Sequence, residues 1–177
     1  MEKATNKTIE RIEDHAPSGT TEIVRQLRNI VTTGENRPRS SKEDVMSAPI
    51  NSELPVVVTR RASGKTTGLV YFIGERTLLL SESDTIGVLC PNEGVAREFL
   101  YRFKYHFPTL KEPVVLTIDR GMSMMVGRKF HEVYAEEVFM MYTDYRLSTH
   151  LSEVCAHFPV VAGVGTIEAP TTILLKV

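Results

Sequence analysis

The chain has 177 residues, a formal net charge of −1 and 42% apolar residues. That length suits a core of ordinary domain size, and that balance of charge and apolar content excludes a disordered tail and a strongly basic nucleic-acid-binding module. No apolar run approaches the ~18–20 residues that span a bilayer, and residues 1–5 open no signal-peptide core, so a cytoplasmic protein without a membrane partner is expected.

Residues 1–53 read as an N-terminal arm. Short helical patterns occupy residues 9–13 and 21–31, the second with Ile23, Val24, Leu27, Ile30 and Val31 on one side. Residues 15–19 and 32–52 are rich in turn formers and charge. The expectation is a partly flexible arm that packs one helix on a second unit, residues 54–177. The basic cluster RPRSSK at residues 37–42 reads as a solvated linker.

From Pro55 onward apolar runs alternate with helical stretches. Strands are predicted at residues 55–59, 85–90, 113–118, 132–135, 160–164 and 171–177, and helices at 66–80, 93–107 and 142–158. The second helix sets Val95, Phe99, Leu100, Phe103 and Phe107 on one face, while Gly74 interrupts the pattern of the first. Such alternation implies an α/β fold with a mainly parallel sheet covered by helices on both faces. Ligands of such sheets sit at the carboxyl ends of the strands.

RRASGKTT, residues 60–67, lies at one of these ends, between the apolar run 54–58 and a helix. Strand, Gly-Lys-Thr turn and helix together build a phosphate cradle, because the turn's N–H groups point inward and the helix N-terminus adds partial positive charge. Lys65 would reach the β- and γ-phosphates, and the Thr66 hydroxyl would hold Mg²⁺. The full GxxxxGK[ST] pattern is not met, since Thr59 stands where its first Gly would be.

Glu136 and Glu137 end the half-apolar stretch that begins at Lys129. A nucleoside triphosphatase needs such a pair beside its cradle, one carboxylate ordering Mg²⁺ and the other polarising the attacking water. The alternative is that both merely favour the start of the next helix. Other groups suggest less. Cys90 and Cys155 read as small buried hydrophobes. Among His131, His150, Cys155 and His157 only Cys155-x-His157 is a close pair, short of a zinc set. Met122, Met124, Met125, Met140 and Met141 read as adaptable core, and Asp144-Tyr145-Arg146 as solvated helix surface. Ser63, Ser81 and Ser123 lack a nucleophile-elbow pattern.

Four blocks carry a resemblance. RRASGKTT is similar to the Walker A segment of the large subunits of tailed-phage terminases, in which an Arg precedes Gly-Lys-Thr and the early Gly is absent. TIGVLCPNEGVAREFL (85–100) resembles the strand–Pro–helix segment that follows in terminases and in superfamily-two helicases. VGRKFHEVYAEEVF (126–139) resembles the terminase strand that ends in two acids, and FPVVAGVGTIEAP (158–170) the strand that couples hydrolysis to movement. The blocks run in the family's order across residues 55–170.

The resemblance implies a RecA/ASCE-like P-loop NTPase using ATP and Mg²⁺. Gly64, Lys65 and Thr66 would bind phosphates, flanked by Arg60, Arg61, Ala62, Ser63 and Thr67. Arg61 would act in cis on the γ-phosphate, Glu136 would hold Mg²⁺ with Thr66, and Glu137 would be the catalytic base. Gly165 and Thr166 would form the coupling motif. Implied partners are double-stranded DNA, packaging or replication subunits and further copies of the chain, in a host-cell cytoplasm. Glu136 departs from the family's Asp, so the metal must shift or the backbone retreat. Gly165-Thr166-Ile167 lacks the proline many relatives place after the Thr, and the interval from Pro113 to Phe130 is short. Neither a nuclease carboxylate cluster nor a second helicase lobe occurs in these residues, so a full terminase is not expected.

Two function classes follow. One is an ATPase that couples ATP to DNA packaging or translocation. The other is a binding or assembly module that keeps the fold with weak or lost turnover. A nucleotide kinase would need an arginine-rich lid, and Arg146 is the sole arginine after Glu137.

Overall fold

The computed structural model describes residues 19–33, 53–60, 63–166 and 171–176. In chain order the elements are α1 (Thr20–Thr33), β1 (Glu53–Thr59), α2 (Lys65–Leu79), β2 (Ile86–Cys90), α3 (Glu93–His106), β3 (Val114–Thr117), a 3₁₀ segment (Ile118–Met124), β4 (Glu132–Ala135), α4 (Val138–Thr143), α5 (Tyr145–His157), β5 (Val160–Thr166) and β6 (Thr171–Lys176). The strands form one sheet in the order β3-β2-β4-β5-β1-β6. Five strands are parallel and helices cover both faces, as the alternation predicts.

The sixth strand differs. β6 runs antiparallel to β1, with Val58 opposite Thr171 and Glu53 opposite Lys176. Only residues 167–170 separate it from β5, and a parallel partner would need a crossover of a dozen residues or more.

Strand alternation divides the core between the two faces. Val57, Val88 and Tyr134 pack with α1, α2 and α3, while Val56, Val58, Leu89 and Val133 pack with α4 and α5. Helix α2 is buried nearly all round, because α1 and α3 flank it and the sheet lies beneath. Glycine permits both approaches. A Cβ on Gly68 would lie 2.8 Å from Ile23, and one on Gly74 would lie 2.5 Å from Phe107. Helix α1 is therefore part of the core, with Ile23 and Leu27 almost wholly buried. The Arg28 fork on Glu75 ties it to α2 at 2.8–3.0 Å. The predicted helix at 9–13 lies outside the described residues.

Two predicted elements are corrected. Residues 142–158 are not one helix. Asp144, at φ −94° and ψ 121°, ends α4, and its carboxylate accepts from the Leu147 N–H at 3.0 Å to cap α5. A short acceptor that competes for backbone donors starts a helix better than it continues one. The strand predicted to end at Ile118 stops at Thr117, where the chain enters the 3₁₀ segment and His150 Nδ1 meets the Ile118 carbonyl at 2.9 Å. Among the described residues no helix is long and apolar enough to cross a membrane.

Candidate active site

The site is assembled at the carboxyl ends of β1, β4 and β5. Chain leaving β1 turns at Gly64, whose φ of 78° lies in the left-handed region open to glycine. Gly64 also stands at the N-cap of α2 and brings no side chain to it. Among the described residues no side chain of the N-cap position covers the first N–H groups of α2, the arrangement that suits an anion. A cleft of about 490 Å³ opens above them, lined by Arg60, Ser63 to Thr67, Glu137 and Thr166, with Glu98 and Arg102 from α3 and Phe139 and Met140 from α4.

The acidic pair meets this turn from β4. Glu136 keeps its N–H in the ladder, donating to the Leu89 carbonyl at 2.8 Å, so the extra methylene has not pulled the backbone back. Its carboxylate is fully buried. Oε1 accepts from Thr66 Oγ1 at 2.6 Å and from Lys65 Nζ at 3.2 Å, whereas Oε2 is buried without a partner among the described residues. Burial pushes the Glu136 carboxyl above its usual range, against the pull of Lys65 and the Thr66 hydroxyl. Burial also raises the Cys90 thiol on neighbouring β2, and the Glu136 charge raises it further.

Glu137 adopts φ 55° and ψ 47° at the N-cap of α4, yet its side chain caps nothing. It turns into the cleft instead, where Oε1 accepts from Lys65 Nζ at 2.5 Å and Oε2 from Thr166 Oγ1 at 3.4 Å. Thr166 ends β5 opposite Thr59 of β1, so β5 lies between the cradle strand and the acidic strand. Beside it, a Cβ on Gly165 would lie 2.4 Å from the Phe139 ring.

Five predicted residues, Lys65, Thr66, Glu136, Glu137 and Thr166, thus converge through their side chains. Arg60 and Ser63 line the same cleft, and Thr67 turns its hydroxyl toward Arg102. Arg61 and Ala62 lie outside the described residues. Met125 and Met141 are buried as expected, but Met140 is 47% exposed at the cleft wall. Motif reading missed Glu98 and Arg102, whose four-residue spacing looks like any surface helix pair. Cys155 packs partly buried against the α4–α5 face, and burial raises its thiol to about 12.

The donor set fits Mg²⁺. Among the described residues there is no cluster of three His, Cys, Asp or Glu that would hold a metal by itself, but Mg²⁺ commonly takes one or two carboxylates and completes its shell with water and substrate phosphates. Thr66 Oγ1 and Glu136, whose Oε1 already meets that hydroxyl and whose Oε2 has no partner among the described residues, supply two such ligands. Neighbouring ligands of an octahedral Mg²⁺ lie roughly 2.9 Å apart at its 2.0–2.1 Å bond length, so for Thr66 Oγ1 and Glu136 Oε1 the present 2.6 Å contact need open by only a few tenths of an ångström.

No model of a known protein family matches the chain, and no curated protein matches it.

Proposed function

We propose that this chain is a RecA/ASCE-like P-loop domain of terminase or helicase type. It binds ATP with Mg²⁺ and hydrolyses it to drive DNA packaging or translocation. The reading rests above all on one observation: Lys65 Nζ is held by two carboxylates, of Glu136 and Glu137, over the uncapped start of α2. An ammonium, a hydroxyl and two carboxylates around a helix N-terminus make up the equipment of phosphoryl transfer to water.

Each residue has a task in this scheme. The first N–H groups of α2 and Lys65 take the phosphate oxygens that carry charge in the transition state. Thr66 and Glu136 would hold Mg²⁺, which supplies charge neutralisation at the phosphates. Once Lys65 turns to the ligand, Glu137 Oε1 is released to orient the attacking water and take its proton. Thr166, bonded to Glu137 Oε2, passes the change to the end of β5.

A second reading, a binding or assembly module without turnover, is favoured by the same clasp, since Lys65 and the two carboxylates satisfy one another without ligand. Calorimetric titration of MgATP into the wild type and Lys65→Ala tests the first step, with binding expected only in the wild type. Glu137→Gln then separates the readings. Loss of turnover with binding retained supports the ATPase, and no turnover in the wild type, with or without DNA, supports the module. Absence of MgATP binding by the wild type overturns the ATPase reading and leaves the assembly module, whose partner is then a protein.

A further inference from the structure

Arg102 reaches the cleft from α3. Its guanidinium donates through Nη1 to Thr67 Oγ1 at 3.0 Å, while Nε and Nη2 both meet Glu98 Oε1, at 3.1 and 2.7 Å. Thr67 is only 6% exposed and belongs to the first turn of α2, one residue beyond Thr66. The fork is therefore pinned at the cleft wall, with 41% of the side chain still open to solvent.

Its bearing on the cradle follows from helix geometry. Successive residues turn by about 100°, so Lys65 and Thr67 point about 200° apart around the start of α2. Lys65 leans to Glu136 and Glu137 on the strand side, and Thr67 faces α3. A polyphosphate laid over the N–H groups of this turn with its terminal end at Lys65 would have its other end toward Thr67 and Arg102.

We infer that Arg102 is a second cation of the nucleotide site, gripping the phosphate next to the nucleoside, and that Glu98 is the anion it gives up when ligand enters. This rests on the nucleotide reading above. A guanidinium suits the task because its five donors lie in one plane. Nη1 keeps the Thr67 hydroxyl while Nε and Nη2 turn from the carboxylate to two phosphate oxygens. Glu98 is largely exposed, so water takes over its charge at little cost.

The test is calorimetric titration of MgATP and MgADP into the wild type, Arg102→Ala, Arg102→Lys and Glu98→Ala, with Lys65→Ala as reference. Arg102→Ala should weaken both ligands about tenfold, the loss of one charge-assisted contact. Arg102→Lys should fall between, since it keeps the charge and loses the fork, and Glu98→Ala should tighten both ligands severalfold by freeing the guanidinium. Should Arg102→Ala fail to fold, the opposed shifts of the other two variants decide the matter. Unchanged affinities in Arg102→Ala and Glu98→Ala overturn the inference, as does a loss confined to MgATP, which would place Arg102 at the terminal phosphate. If the wild type binds neither nucleotide, the nucleotide reading itself fails. If it binds both, and only Lys65→Ala weakens them, the role of Arg102 alone fails.

Discussion

Replacing Glu137 by alanine and, separately, by glycine isolates what its backbone conformation costs. Glu137 has φ 55° and ψ 47°, and among the described residues no other non-glycine has a positive φ. A side chain with a Cβ loses ~1–2 kcal/mol in this region. Glycine avoids that loss but adds ~0.4–1 kcal/mol of unfolded-chain entropy. Both variants delete the contacts to Lys65 and Thr166, and both leave Lys65 to Glu136 at 3.2 Å, so side-chain losses cancel between them. Glu137→Gly should be the more stable by ~0.5–1 kcal/mol, or about 1–4 °C in Tm for a chain of this size. Urea midpoints and scanning calorimetry without nucleotide give the comparison, and MgATP turnover should be absent from both variants. An alanine variant as stable as the glycine one would refute the strain argument. Strain of this kind clusters at functional sites, and here it accompanies a side chain that points into the cleft rather than onto its own helix.

Gly165→Ala should lower stability by ~1–3 kcal/mol by driving a methyl into the Phe139 ring, and should weaken MgATP binding because that ring walls the cleft. An unchanged urea midpoint would show that the ring gives way freely. The His106 imidazole is held below its ordinary 6.5 by burial and then by the Arg102 charge, so below 6.5 the unfolded chain takes up the proton more readily than the folded one. Stability should therefore be fully present above 6.5 and decline as pH falls through the depressed value. His106→Gln should flatten that part of the profile in urea titrations from pH 7.5 to 5, and an equal slope in both proteins would count against the assignment.

Much of this arrangement is legible in the amino-acid order, and the rest is hidden for physical reasons. Val56 to Val58, the turn after β1 and the acids after β4 announce themselves through apolar runs, a glycine that needs φ above zero, and charge at a strand end. The break at Asp144 does not, since residues 142–146 suit a helix until a side-chain acceptor competes for the Leu147 N–H. The antiparallel entry of β6 follows from the shortness of residues 167–170, a length argument that strand periodicity alone does not make. α1 showed its apolar face, but not that Gly68 leaves room for Ile23, or that Arg28 reaches Glu75 across 47 residues. Arg102 and Glu98 likewise look like a solvated pair until the fold sets them beside Thr67.

If the cleft takes the proposed nucleotide, its charge balance also sets which form of ATP would bind. Lys65 is the cation the hydrogen bonds place against both Glu136, which is fully buried, and Glu137, which is 23% exposed. A polyphosphate that draws Lys65 to itself leaves two neighbouring carboxylates without that counter-charge, one of them with no access to water. Leaving a buried charge unpaired costs several kcal/mol, comparable with the gain from a good phosphate contact. ATP free of metal should therefore bind at least tenfold more weakly than MgATP, and Glu136→Gln, which removes the buried charge and keeps the shape, should narrow that gap. Titrations of ATP with excess Mg²⁺ and with EDTA, on both proteins, give the four affinities. Equal affinity of the wild type for both forms would mean that Lys65 stays with its carboxylates when ligand is bound, and the order of events from Lys65 to Glu137 to Thr166 could not hold.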